Sequence, residues 1–248
     1  MGRFFIDDDF DIFDIKYAAL EDTQTISRRK RVFDKFKTLH ECSLKSYCSQ
    51  LDLNPHWKKE HLTSVYFPFA EANGGYVDYM RLGYGKSKDA IYNMYRKAGL
   101  VGETMSFYKV TQLQIGIDYN GWWINLYLDK SDVIEHANLR IKLMDKANYN
   151  RISKLINSLK NDFELGFFIG SMHSNIKYES YNSGKTYLDR YIDLCKNKEM
   201  FSLSIGIFLD RYDKYNDIIL IEGFIKEKFY KLYPLYKEIS WALSNDYL

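Results

Sequence analysis

QLQIGIDYNGWWINLYLD, residues 112–129, decides the fold. Apolar residues alternate on both sides of Asn120-Gly121, a dipeptide suited to the two positive φ angles of a type I′ turn, so the stretch predicts a β-hairpin. Its first strand carries the pair Ile115-Gly116, and Ile-Gly recurs in LGFFIGSM at Gly170 and in LSIGIFLD at Gly206. A glycine inside an apolar strand marks a bulge or the close approach of another group, because a missing Cβ otherwise only weakens the strand. The three runs are therefore predicted to form the central sheet.

Helical patterns surround them. No Gly or Pro occurs between Lys16 and Asn54, and Phe33, Phe36, His40, Leu44, Tyr47 and Leu51 recur at helical spacing. One long amphipathic helix ending at Asn54-Pro55 is predicted, since the residue before proline leaves the α region. LTSVYFPF and YVDYMRL predict a hairpin through EANGG, and SKDAIYNMYRKAG a helix capped by Ser87 and closed by Gly99. Ser131 is expected to cap a helix with the stripe Ile134, Ala137, Ile141 and Met144, followed by helices over 149–160 and KTYLDRYIDLCKNK. HSNIKYESYNSG has the composition of a loop, and the chain beyond Asp217 is expected to be helical with an interruption at Tyr233-Pro234. The order predicts an α+β fold, an antiparallel or mixed central sheet with helices packed on it, as a single compact domain over 1–248 with 83–108 as an insertion.

The 248 residues are 46% hydrophobic, enough for a substantial core, and 35 Lys plus Arg balance 33 Asp plus Glu. That balance excludes strong non-specific attraction to polyanions and leaves room only for a local basic patch. Cys42, Cys48 and Cys195 are odd in number and lack CxxC spacing, which fits reduced thiols and a cytoplasmic location. MGRFFIDDDF is acidic where a signal peptide is basic, and no run reaches the 18 apolar residues of a membrane span, so neither secretion nor anchoring is expected.

Chemistry is thinly marked. GYGKSK at 83–88 resembles the end of a phosphate-binding loop, but Met80 stands where its first glycine is required. His56, Glu60 and His61 lack HExxH spacing and a third ligand, so no metal and no cofactor are expected. Asp118 and Asp210 end strands, as the carboxylates of metal-dependent nucleases do, although no acid-x-Lys element follows Asp118. His173, in a polar stretch after FFIGS, is a candidate general base without a visible partner. RRKR at 28–31 and the tyrosines interleaved with Lys58, Lys59, Arg81 and Lys86 favour nucleic acid as the partner. Lys59, His61, Arg81 and Arg140 are the candidate contacts. Nuclease activity at Asp118 and Asp210, in a defence or restriction context, is the second reading. A protein-interaction module anchored on Trp57, Trp122 or Trp123 is the third.

DDFDIFDI, the long helix, Lys59-x-His61, QLQIGI, FELGFFIGSMHS, FSLSIGIFLD and KLYPLYKEI together resemble the YktB-like family of uncharacterised bacterial proteins. The resemblance implies a compact cytosolic α+β domain with strands at the Ile-Gly runs, and it brings no established activity. Leu62 and Thr63 follow His61 where that family has a basic pair, and 83–108 is extra material.

Overall fold

The computed structural model describes residues 2–56, 76–100, 110–170 and 176–248. The chain is mostly helical as far as Gln50: α1 Asp7–Asp11, α2 Ile15–Ala18, α3 Thr23–Leu39, one π-helical turn over His40–Leu44, and α4 Lys45–Gln50. The long helix expected there runs without interruption from Thr23 to Gln50 through the π-helical turn, starting later than Lys16 and ending before Asn54. Asp22 ends the run after α2 and restarts the chain, its carboxylate accepting the N–H groups of Gln24 and Thr25 at 3.0 Å each.

The strands are β1 Asn54–Pro55, β2 Tyr79–Gly85, β3 Gln112–Asp118, β4 Gly121–Leu128, β5 Glu164–Ile169, β6 Lys177–Tyr181 and β7 Phe201–Asp210. They form one antiparallel sheet in the order β1-β2-β3-β4-β7-β5-β6, and the fold is α+β. The Ile-Gly runs are β3, β5 and β7 with the residue beyond β5. The remaining helices are α5 Lys88–Lys97, α6 Val133–Lys142, α7 Lys146–Leu159, α8 Gly184–Lys196 and α9 Ile221–Ile239. None is long and apolar enough to cross a membrane among the described residues.

Three local expectations are corrected. Asp132, not Ser131, caps α6, accepting from Ile134 N and Glu135 N. HSNIKYESYNSG contains β6, an edge strand whose polar residues hide its pairing with β5. Pro234 sits inside α9 without ending it. A proline removes one helical hydrogen bond, and the buried row Phe224, Ile225, Phe229, Leu232, Leu235 and Ile239 keeps the chain helical across it.

The residues fall into two compact units. The first comprises Met1–Gly85, Gln114–Ile124 and Phe208–Phe229, and the second Lys86–Leu113, Asn125–Ile207 and Tyr230–Leu248. The chain passes between them inside β3, β4, β7 and α9, so no linker composition marks the boundary. The segment 83–108 contributes the end of β2 and α5.

An aromatic core fills the first unit, where Phe5 meets Phe10 and Phe36 edge to face and Trp122 meets Phe224 at 5.8 Å. In the second unit Phe167 stacks on Tyr187 at 4.3 Å and meets Phe201 edge to face.

Candidate functional site

Helical geometry divides the basic run RRKR, because successive residues are turned by about 100°. Arg29 points inward and is buried, its guanidinium donating to the Tyr17 and Ala18 carbonyls at 2.7 and 3.0 Å. It satisfies the C-terminal end of α2, a structural task. Lys30 faces solvent. Arg28 and Arg31 line a polar groove of about 760 Å³ in the first unit with Lys16, Tyr17, Asp8 and Asp11. Thr23, Gln24 and Ser27, from the first turns of α3, complete it.

Charge pairs line the groove. Asp8 binds Arg28 at 2.5 Å with one carboxylate oxygen and Arg31 with the other. Partial burial pushes the Asp8 carboxyl upward, but the two guanidiniums outweigh it and hold the group below its ordinary value. Tyr17 carries two cations on its ring, Lys16 at 5.0 Å and Arg28 at 4.9 Å from the centroid. Beneath them Asp9, fully buried, pairs with Lys35 at 2.5 Å and closes the end of α1 through the N–H of Ile6. The acidic opening DDDFD is thus the electrostatic counterpart of the basic run.

The sequence candidates are scattered. Lys59, His61, His173 and Trp57 lie outside the described residues. Arg81 is buried in the first unit and donates to Gln114 Oε1 at 3.3 Å, which withdraws it from solvent. Arg140 is exposed on α6 of the second unit. Trp122 is a core residue, and Trp123 covers Gly116, where an added Cβ would lie 2.1 Å from the indole.

Asp118 and Asp210 serve their own turns. Asp118 accepts the N–H groups of Asn120 and Gly121 at 2.7 and 3.0 Å, and burial nonetheless raises its pKa. Asp210 accepts the N–H of Tyr212 at 2.7 Å. Arg211 lies at the same corner, stacked on Tyr119 at 4.2 Å and paired with Asp11 at 2.6 Å. Among the described residues no group of three His, Cys, Asp or Glu has the arrangement of a metal site. The Ile-Gly strand ends fall in different units, Asp118 and Asp210 in the first and Gly170 in the second. Gly170 donates its N–H to the Met200 carbonyl at 2.8 Å.

The second unit holds a different charged cluster, invisible in the sequence. Lys86, from the rejected phosphate-loop resemblance, is buried and pairs with Glu135 while donating to Ser240 Oγ at 2.5 Å. Glu135 also accepts the N–H groups of Thr111 and Trp241 at 2.5 and 2.6 Å. Burial pushes Glu135 up, but Lys86, Asp132 and the Thr111 N–H hold it down at about 2. Burial and the neighbouring Glu135 charge raise Asp132 well above the carboxylate range. Asp132 Oδ2 is buried and accepts no hydrogen bond. Protein groups meet both Glu135 oxygens and the Lys86 ammonium, which gives this cluster a structural role.

No family model matches the chain. No curated protein matches it either.

Proposed function

We propose that the chain binds the phosphate backbone of a nucleic acid in the groove between α2 and α3, without reading bases. One observation carries the reading: Asp8 bridges Arg28 and Arg31 in the manner of a bound oxyanion, at the wall of a groove that also presents Lys16. A phosphate oxygen displacing that carboxylate would meet two guanidiniums already positioned, and Thr23, Gln24 and Ser27 supply neutral donors beside them. The Tyr17 ring is engaged by Lys16 and Arg28, so it holds cations in place instead of stacking on a base.

The test is an anisotropy titration of labelled single-stranded RNA, single-stranded DNA and duplex DNA across salt concentrations. All three should bind at low salt with similar affinity. The double substitution Arg28→Ala, Arg31→Ala should weaken binding about tenfold or more and flatten the salt slope by roughly two phosphate contacts. Failure of every probe at low salt, or an unchanged slope in the double variant, overturns the reading.

A further inference from the structure

Strand β6 is at the edge of the sheet, and among the described residues it has one neighbour, β5. Among the described residues no other strand meets the outer backbone groups of its five residues, KYESY, an arrangement that native edges usually block. Exposed apolar and charged side chains both flank this edge. Ile176 and Tyr178 are 55% and 36% exposed on one face, and Lys177 is 72% exposed on the other. Glu179 shares that second face, held by Lys177 at 2.9 Å and by Arg190 at 3.0 Å from α8.

Charge order decides what fits. An antiparallel partner that extends the sheet keeps each face continuous, so residues directly opposite share a face. For a second copy of β6 the two-fold axis must then pass through a residue. An axis through Lys177 or Glu179 sets like charges against each other, and one through Ser180 opposes Glu179 with Tyr181 and makes no ion pair. An axis through Tyr178 opposes Lys177 with Glu179 of the other copy twice, pairs the two Tyr178 rings and places Ile176 against Ser180. Of the axes through Lys177, Tyr178, Glu179 and Ser180, the one through Tyr178 alone pairs opposite charges.

We propose that this edge is a homodimer interface, β6 pairing antiparallel with β6 of a second copy about an axis through Tyr178. The contact is short, so the dimer is weak and forms as protein concentration rises. Light scattering after size exclusion, over a concentration series of the full chain without nucleic acid, should show mass rising from one copy toward two. Lys177→Glu should abolish the rise by opposing Glu with Glu179, and Lys177→Glu with Glu179→Lys should restore it. Circular dichroism checks that each variant is folded. Because Glu179→Lys also loses Arg190, amide exchange on the unmodified chain provides a second readout, with the β6 amides slowing as concentration increases. A monomer at the highest soluble concentration, a dimer indifferent to Lys177→Glu, a folded double variant that stays monomeric, or β6 exchange independent of concentration each overturns the proposal.

Discussion

The two charged clusters use the same chemistry and differ in what surrounds it. In the first unit Asp8 joins Arg28 and Arg31 at the wall of an open groove, with Arg31 45% exposed. In the second, Lys86 and Glu135 are buried, and the carboxylate is met by backbone N–H groups from Thr111 and Trp241. Water screens the first and is excluded from the second. Removing one partner from the open pair leaves a cation that water can solvate, whereas removing one from the closed pair leaves a charge that nothing solvates. The open cluster can therefore exchange a protein anion for a foreign one, and the closed one cannot do so without unfolding its surroundings.

The largest effect should come from breaking the closed cluster. Glu135→Ala strands Lys86 and orphans the Thr111 and Trp241 N–H groups, and is expected to cost about 3–5 kcal/mol in urea unfolding. A loss below about 1 kcal/mol would show that Lys86 finds solvent there and erase the contrast between the units.

Acid should act on the second unit as well. Burial drives His136 from an ordinary value of 6.5 down to about 4, outweighing the bond from its ring to the Asp129 carbonyl. A lowered histidine favours folding at pH above 6.5 and withdraws that support as pH falls toward 4. The full difference is about 3 kcal/mol. Asp132, raised on folding, opposes the trend, since its contribution is present in acid and declines as pH rises above the ordinary carboxylate range. Between pH 7 and 4 the urea midpoint of the native chain should drop relative to that of His136→Gln, in which the histidine contribution is absent while that of Asp132 remains. Equal slopes would remove His136 from the account.

How much of this was legible depends on whether the signal is local. The hairpin over 112–129 could be read because alternation and a turn lie within one stretch. Its turn could not. Asn120 and Gly121 are absent from the positive-φ residues, which among those described are Asp52, Lys198, Gly99 and Gly170, so the type I′ pair is not formed. The Asp118 carboxylate closes the turn instead, and Gly121 is glycine because a Cβ there would lie 2.0 Å from the Leu209 carbonyl oxygen. Gly116 did follow the close-approach rule, with the Trp123 indole as the approaching group. The basic run was visible, but only the α3 helix shows which of its arginines is internal. The Lys86 cluster joins Thr111, Asp132, Glu135 and Ser240 across as many as 154 positions, and no periodicity links such residues. Gly121→Ala tests the turn reading in the first unit. It should cost about 1–3 kcal/mol, because a backbone oxygen must move, and crystallography or chemical shifts should place the change at Leu209.

The smallest effect on stability, and the sharpest on the proposed function, belongs to Asp8→Asn. Asp8 is a partly exposed carboxylate shared by two guanidiniums, an arrangement that contributes under about 1 kcal/mol to folding. Urea unfolding should therefore barely change, in contrast to Glu135→Ala. Polyanion affinity should move the other way, because the substitution removes the internal competitor for Arg28 and Arg31 and adds one net positive charge to the groove. A rise of a few-fold at low salt, vanishing in the background of Arg28→Ala with Arg31→Ala, is the expected result. If affinity falls instead, Asp8 holds the arginines in their binding posture without occupying their ligand position, and the open cluster is as structural as the closed one. If affinity rises but survives loss of both arginines, the phosphate contacts lie elsewhere, with Lys30 on the same helix the next cation to replace.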